Sequence, residues 1–151
     1  MNKSIEIKRN CDGCTACCEG WLSGKAYDKE FFSGVPCHYK CENGCSIYEN
    51  RPETPCKSYS CGWLTNLDFP EWFKPSVSKV IITQRYDEKL NKEFIEVLEM
   101  GEKIDSSILS WLFQYFLKTK ISMRIQIGGG FVTFDSNKLN SSKSSKSFNY
   151  Q

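Results

Sequence analysis

Nine cysteines, at positions 11, 14, 17, 18, 37, 41, 45, 56 and 61, crowd the first part of the chain, and none follows Cys61. Such crowding serves either a disulfide framework or thiolate-bound metal. Thiolate sulfur is soft and suits Zn(II), Cu(I) and the iron of iron–sulfur centres. A C-x-x-C turn lets two sulfurs approach one ion. The run Cys11, Cys14, Cys17, Cys18 holds more sulfurs than one tetrahedral ion takes easily from a single loop. Sharing is expected, with part of this run combining with cysteines further along.

The compartment separates the two chemistries. Residues 1–10 carry no apolar run of the secretory kind, and no stretch of 18 apolar residues is present to span a membrane. A cytoplasmic chain is expected, and clustered thiols in a reducing compartment are metal ligands more often than bridges. An odd number of cysteines would leave one unpaired in a disulfide framework. Adjacent Cys17 and Cys18 cannot bridge each other without distorting the intervening peptide.

The elements that must position these sulfurs fall into three regions. Residues 1–64 form a loop-rich cysteine module with few large apolar side chains, and a segment so poor in core needs a staple that metal supplies. Residues 65–135 form an α+β unit packed on it. After the aromatic connector Asp68-Phe69-Pro70-Glu71-Trp72-Phe73-Lys74-Pro75, the β-branched run within residues 76–86 reads as a strand. Residues 94–100 read as its hairpin partner, although Leu90, Phe94, Val97 and Leu98 also fit a helical stripe. Asp105 or Ser106 caps a helix, apolar on nearly all sides through Leu117 and therefore buried. Ile121, Met123, Ile125 and Ile127 alternate with polar residues as a half-buried strand. The three glycines at 128–130 then turn into a last strand at 131–134. The expectation is a ββαββ antiparallel sheet with one covering helix. Residues 136–151, rich in Ser and Lys, read as a disordered tail.

The C-x-x-C-x-x-C-C run, Cys37, the segment Cys45-Ser46-Ile47-Tyr48-Glu49-Asn50-Arg51-Pro52, and Cys56 and Cys61 followed by Gly62-Trp63 carry a resemblance. This pattern resembles the CxxCxxCC family described as zinc- or iron-chelating, also described as YkgJ-like Fe–S-cluster-containing proteins. It spans roughly residues 11–63. The resemblance implies metal binding and, carried over residue by residue, eight ligands: Cys11, Cys14, Cys17, Cys18, Cys37, Cys45, Cys56 and Cys61. Cys41 is additional to the usual eight, and its role as a further ligand, a reactive thiol or a bystander stays open.

Eight thiolates make two closed four-cysteine sites for two Zn2+ ions. One 4Fe–4S cluster or bound iron using some of them is the alternative, as is a zinc cluster bridged by Cys17 or Cys18. The bacterial ferredoxin closure C-x3-C-P is missing, which favours zinc. His38 is the sole histidine and reads as solvent-facing or beside the ligands, because all-cysteine sites need no imidazole. An anionic thiolate site would attract nearby Lys8, Arg9, Lys40, Arg51 and Lys57, and Arg51 is expected to offset thiolate charge or donate to a sulfur. Residues 128–130 lack the G-K-[ST] ending of a phosphate loop and read as a hairpin turn.

With one histidine and scattered carboxylates, no acid–base set for an enzyme is evident. The leading expectation is an intracellular protein whose metal orders its first half and presents an interaction site to a protein partner. An iron–sulfur protein in redox or cluster handling is second. A zinc-ribbon-like nucleic-acid binder ranks last, since a net charge of +2 is small for such a partner.

Overall fold

The computed structural model describes residues 9–11, 14–19, 21–32 and 34–136. The Ser/Lys tail expected from residue 136 therefore lies outside the described residues except for Ser136. The chain is α+β. Two small antiparallel hairpins come first, β1 (Gly24–Ala26) with β2 (Lys29–Phe31) and β3 (Lys40–Cys41) with β4 (Gly44–Cys45). Two short helices follow, α1 (Gly62–Thr65) and α2 (Pro75–Ser78). A four-stranded sheet, β5 (Val80–Asp87), β6 (Lys92–Glu99), β7 (Ser122–Ile127) and β8 (Gly130–Phe134), is completed by α3 (Ser106–Thr119) between β6 and β7.

The ββαββ order appears as expected, but the sheet is mixed. β5–β6 and β7–β8 are antiparallel, whereas the central pair β6–β7 is parallel, with Ile95 opposite Met123 and Val97 opposite Ile125. The connection explains this. A tight turn reverses direction, while a helix crossing the sheet returns the chain to the end where β6 began. Residues 76–78, expected as strand, belong to α2, where Pro75 at the first turn fixes a helical φ.

One face of the sheet packs on α3. Val80, Ile82, Ile95, Val97, Met123 and Ile125 meet Ile108, Leu112 and Phe116 in one core, each such side chain contributing roughly 1.5–3 kcal/mol of burial. The Asp105 carboxylate accepts the Ser107 amide at 2.8 Å and so caps α3. The helix is not buried all round. Phe113 is 43% and Leu117 38% exposed, because a single sheet can cover only one side of it.

The opposite face is covered at one end by the cysteine module. Ile81 and Met100, with Leu98, pack against Ala16, Cys14, Trp21 and Leu22. This is why β5 begins with three consecutive buried residues, Val80, Ile81 and Ile82, instead of alternating. Gly101 lies beneath Trp21 with φ +74°, and a Cβ there would stand 2.5 Å from the indole ring. Gly101→Ala is therefore expected to cost about 2 kcal/mol or more, from overpacking and a left-handed backbone together. Urea unfolding followed by tryptophan fluorescence measures it, and an unchanged midpoint would mean that Trp21 does not dock the module on the sheet.

Arg9 anchors the start of the module. Its side chain, 6% exposed, donates to the carbonyls of Trp63, Asn66 and Phe69 and to the Glu71 carboxylate and lies over the Trp63 ring. The expectation that Arg9 is drawn to the thiolates is thus corrected: its guanidinium is spent on these groups. Its five donors match several carbonyls at once.

Candidate metal centre

The sulfurs are gathered by short local turns. The Cys14 amide donates to the Cys11 carbonyl at 2.8 Å and the Cys18 amide to the Thr15 carbonyl at 2.9 Å, curling the first run around Ala16. The Cys37 amide donates to the Cys18 carbonyl at 2.8 Å, which fastens the second stretch to the first. From Cys37 a turn closed by the Lys40 amide enters β3, and β4 brings Cys45 back opposite Lys40. The reversal is the two-residue turn Glu42-Asn43, and Gly44 leaves it at φ +141°, a backbone open to glycine. The turn Glu53–Lys57 packs on β1 and presents Cys56. Cys61 stands at the start of α1.

Seven of the nine cysteines, Cys11, Cys14, Cys17, Cys18, Cys37, Cys45 and Cys56, line one cavity of about 770 Å³ between the module and the sheet. Trp21, Arg51 and Tyr59 line it from the module, and Arg85, Glu96 and Leu98 from the sheet. Cys61, half-buried, does not line it but packs against the core that holds Trp63 and Ile82, where the amides of Trp63, Leu64 and Ile82 favour its thiolate. Cys41 is exposed on the hairpin, opposite Gly44, and does not line the cavity. His38 is exposed and stands edge-on to Tyr39 beside a separate, open surface hollow. Of its two expected placements, the solvent-facing one is what the structure has.

Arg51 lines the same cavity. It lies over the Tyr48 ring at 3.8 Å, held by the Tyr48 carbonyl at 2.8 Å, and its charge favours thiolate at Cys18, Cys45 and Cys56. Cys17 and Cys18 sulfurs are 4.0 Å apart. A thiol–thiol bond between them pushes Cys17 far up and draws Cys18 down to about 7, with Arg51 and Lys40 adding to the lowering. Burial first of all raises Cys45, Cys56 and Cys61 above the ordinary thiol value. In metal-free protein Cys18 is thus expected to ionise ahead of Cys45, Cys56 and Cys61, and the thiolate is the reacting form. Iodoacetamide is expected to alkylate Cys18 with a pH midpoint near 7, ahead of Cys61, as read by peptide mass mapping. Preferential labelling of Cys61 at neutral pH would be incompatible with this arrangement.

Sequence reasoning passed over the sheet's contribution. Glu96, 7% exposed, accepts from Arg85 at 3.0 Å and pairs with Arg124 at 3.6 Å. The Tyr59 and Thr83 hydroxyls bond at 3.0 Å, and burial raises the Tyr59 phenol above its usual value. Thr83, Arg85 and Glu96 share one face of β5–β6, since Thr83 pairs with Glu96. Polar residues alternating with Ile82 on β5 and Val97 on β6 were the available signal that this face meets something other than a core.

The donor set fits soft metal ions, with seven sulfurs converging from three segments and, among the described residues, the paired Glu96 as the one carboxylate in the lining. Its geometry is open. Among the described residues no group of three or more Cys, His, Asp or Glu side chains is closed around an ion position. In a tetrahedral zinc site, Zn–S bonds of ~2.3 Å place sulfurs ~3.8 Å apart, close to the 4.0 Å between Cys17 and Cys18. The other sulfurs would have to draw inward. The site is defined as a thiol-lined cavity between a small cysteine module and a four-stranded α+β sheet. Compared with protein-family models, curated proteins and solved structures, the chain matches none. No described helix is long and apolar enough to cross a membrane.

Proposed function

We propose that this protein binds metal through its clustered thiolates, with Cys11, Cys14, Cys17, Cys18, Cys37, Cys45, Cys56 and Cys61 as ligands for two Zn2+ ions. One observation carries the reading: seven cysteines distant in sequence face a single cavity, although cysteine is otherwise among the residues proteins bury singly as small apolar side chains. The motif's resemblance to the CxxCxxCC zinc- or iron-chelating family supports the same reading. Zinc would supply a charge that ionises the thiols and holds their segments together. Around it the chain's own groups orient and neutralise: Arg51 and Lys40 offset negative charge, and the amides of Trp63, Leu64 and Ile82 favour the Cys61 thiolate. Exposed Tyr27, Phe32, Val35 and Tyr48 on the module give an ordered surface with apolar side chains to offer a protein partner.

Substitution of Co2+ tests this. Sulfur-to-cobalt charge-transfer bands with strong tetrahedral d–d absorption are the expected result, and spectra of octahedral, water-bound cobalt would remove the proposal. A second reading is one iron–sulfur cluster held by four of these thiolates, since the same soft sulfur donors suit iron–sulfur iron as they suit zinc. It requires a brown protein after anaerobic preparation, bleached by dithionite. A colourless anaerobic protein would eliminate it.

A further inference from the structure

We propose that β8 is the seat of a dimer. Two copies of this chain pair their β8 strands antiparallel about a two-fold axis at Val132, joining their four-stranded sheets into one. This goes beyond the metal reading and does not depend on it.

β8 is an outer strand, with β7 on one side and no described strand on the other. Gly130 to Thr133 are all exposed. Natural edge strands are blunted by charge, proline, a bulge or a cover. Gly130-Phe131-Val132-Thr133-Phe134 has neither charge nor proline, and its register with β7 runs without a bulge. The other outer strand is treated differently. α1 and α2 pack on β5, with Gly62 so close that a Cβ there would stand 3.0 Å from the Ile82 carbonyl. A two-fold pair at β8 is also closed, because both copies spend the same strand on it.

The backbone sets the register. Gly128 and Gly129, both at positive φ, form a two-residue turn between Ile127 and Gly130, and such a turn closes on a hydrogen-bonded pair. Bonded and non-bonded pairs alternate along an antiparallel ladder. Gly130, Val132 and Phe134 thus bond to β7, while the amides and carbonyls of Phe131 and Thr133 point outward. Pairing centred on Val132 sets Phe131 against Thr133 of the second copy, and Thr133 against its Phe131. Each such pair exchanges both of its N–H···O bonds.

The side chains suit a second copy of the same strand. Phe131, beside Arg124 on the face away from α3, meets Thr133 as an aromatic–β-branched pair. Val132, opposite Ile125 and so on the α3 face, meets its own copy. Phe134 comes over Gly130, the aromatic cover that an edge glycine favours. No charge on β8 opposes its like. The apolar surface continues onto α3, where Phe113, 43% exposed, stands 5.8 Å from the Phe134 ring. Residues 137–151 complement this surface poorly, with Leu139, Phe148 and Tyr150 as their large apolar side chains.

Sedimentation velocity of the full chain as isolated, kept reduced over a rising concentration series, reads the assembly. The expected mass moves from the 17.4 kDa of one chain toward twice that. Val132→Lys, which sets two ammonium groups face to face on the axis, should weaken association about tenfold or more. Leu90→Lys, equally exposed but in the β5–β6 turn, should leave it unchanged. Amide exchange gives a reading that needs no variant: Phe131 and Thr133 should exchange slowly at high concentration and fast on dilution, with Val132 slow throughout. A single-chain mass at every concentration overturns the proposal. A dimer that tolerates Val132→Lys and leaves those two amides fast also overturns it, since the copies then meet elsewhere. Protection of both amides at every concentration defeats it too, because the edge is then covered within the chain.

Discussion

Stripping the metal under reducing conditions is expected to collapse the amide dispersion of residues 14–61 while the signals of α3 and β5–β8 persist. Two observations motivate this asymmetry. Among the described residues of 9–61 only Ala16, Ala26, Phe31 and Cys37 are buried, far too little apolar surface to offset the entropy of ordering so many loops. The sheet unit has its own core of Val80, Ile82, Ile95, Val97, Leu112 and Phe116. Structural zinc supplies apparent free energies on the order of 10 kcal/mol per site, larger than any packing interaction available to the module. Near-native dispersion throughout the metal-free, reduced chain, read by nitrogen–proton correlation spectra, would show that the module folds without a staple.

The complementary expectation concerns the other half. Phe69→Ala should lower the stability of the sheet unit by about 3–5 kcal/mol. Phe69 is 0% exposed, and its ring lies 5.3 Å from Phe73, 5.2 Å from Trp111 and 5.3 Å from Tyr115. Such aromatic pairs add to the area term, and the connector they fix also carries the Phe69 carbonyl and Glu71 carboxylate that Arg9 bonds. Urea unfolding of the variant measures the loss. A decrease below about 1 kcal/mol would mean that the ring cluster is not the core it resembles. Chelation and this variant should act on different halves, so their effects separate the module's stability from the sheet's.

The parts of the fold legible in the sequence were those written in local periodicity. The cap at Asp105, the alternation from Ile121 to Ile127 and the glycines at 128–130 each specify a helix, a strand or a turn by nearby residues. Strand direction was not legible. Alternation is the same in parallel and antiparallel pairs, and only the path of α3 makes β6 and β7 parallel. The burial of Ile81 was half legible, since three successive apolar residues in β5 ask for cover on both faces, but what covers it is set by long-range packing of Trp21 and Leu22.

The site divides in the same way. Cysteine spacing announces that neighbouring sulfurs can reach one ion, and the structure does bring seven of them to one cavity. Spacing says nothing of Cys61 lying outside its lining, of Cys41 turned away, or of Arg85 and Glu96 arriving from a strand pair 24 to 35 residues beyond Cys61. Arg9 shows the opposite hazard. Nearness to a cysteine run in sequence placed it with the sulfurs, but the carbonyls of Trp63, Asn66 and Phe69 and the Glu71 carboxylate hold its planar cation.

Elemental analysis of the full chain, purified without oxygen and without added metal, tests the central claim most directly. Binding by eight thiolates predicts about two zinc equivalents per chain and no reactive thiol among the eight ligands until a chelator is added. A protein carrying neither zinc nor iron, with those thiols free or joined in disulfides, would contradict it.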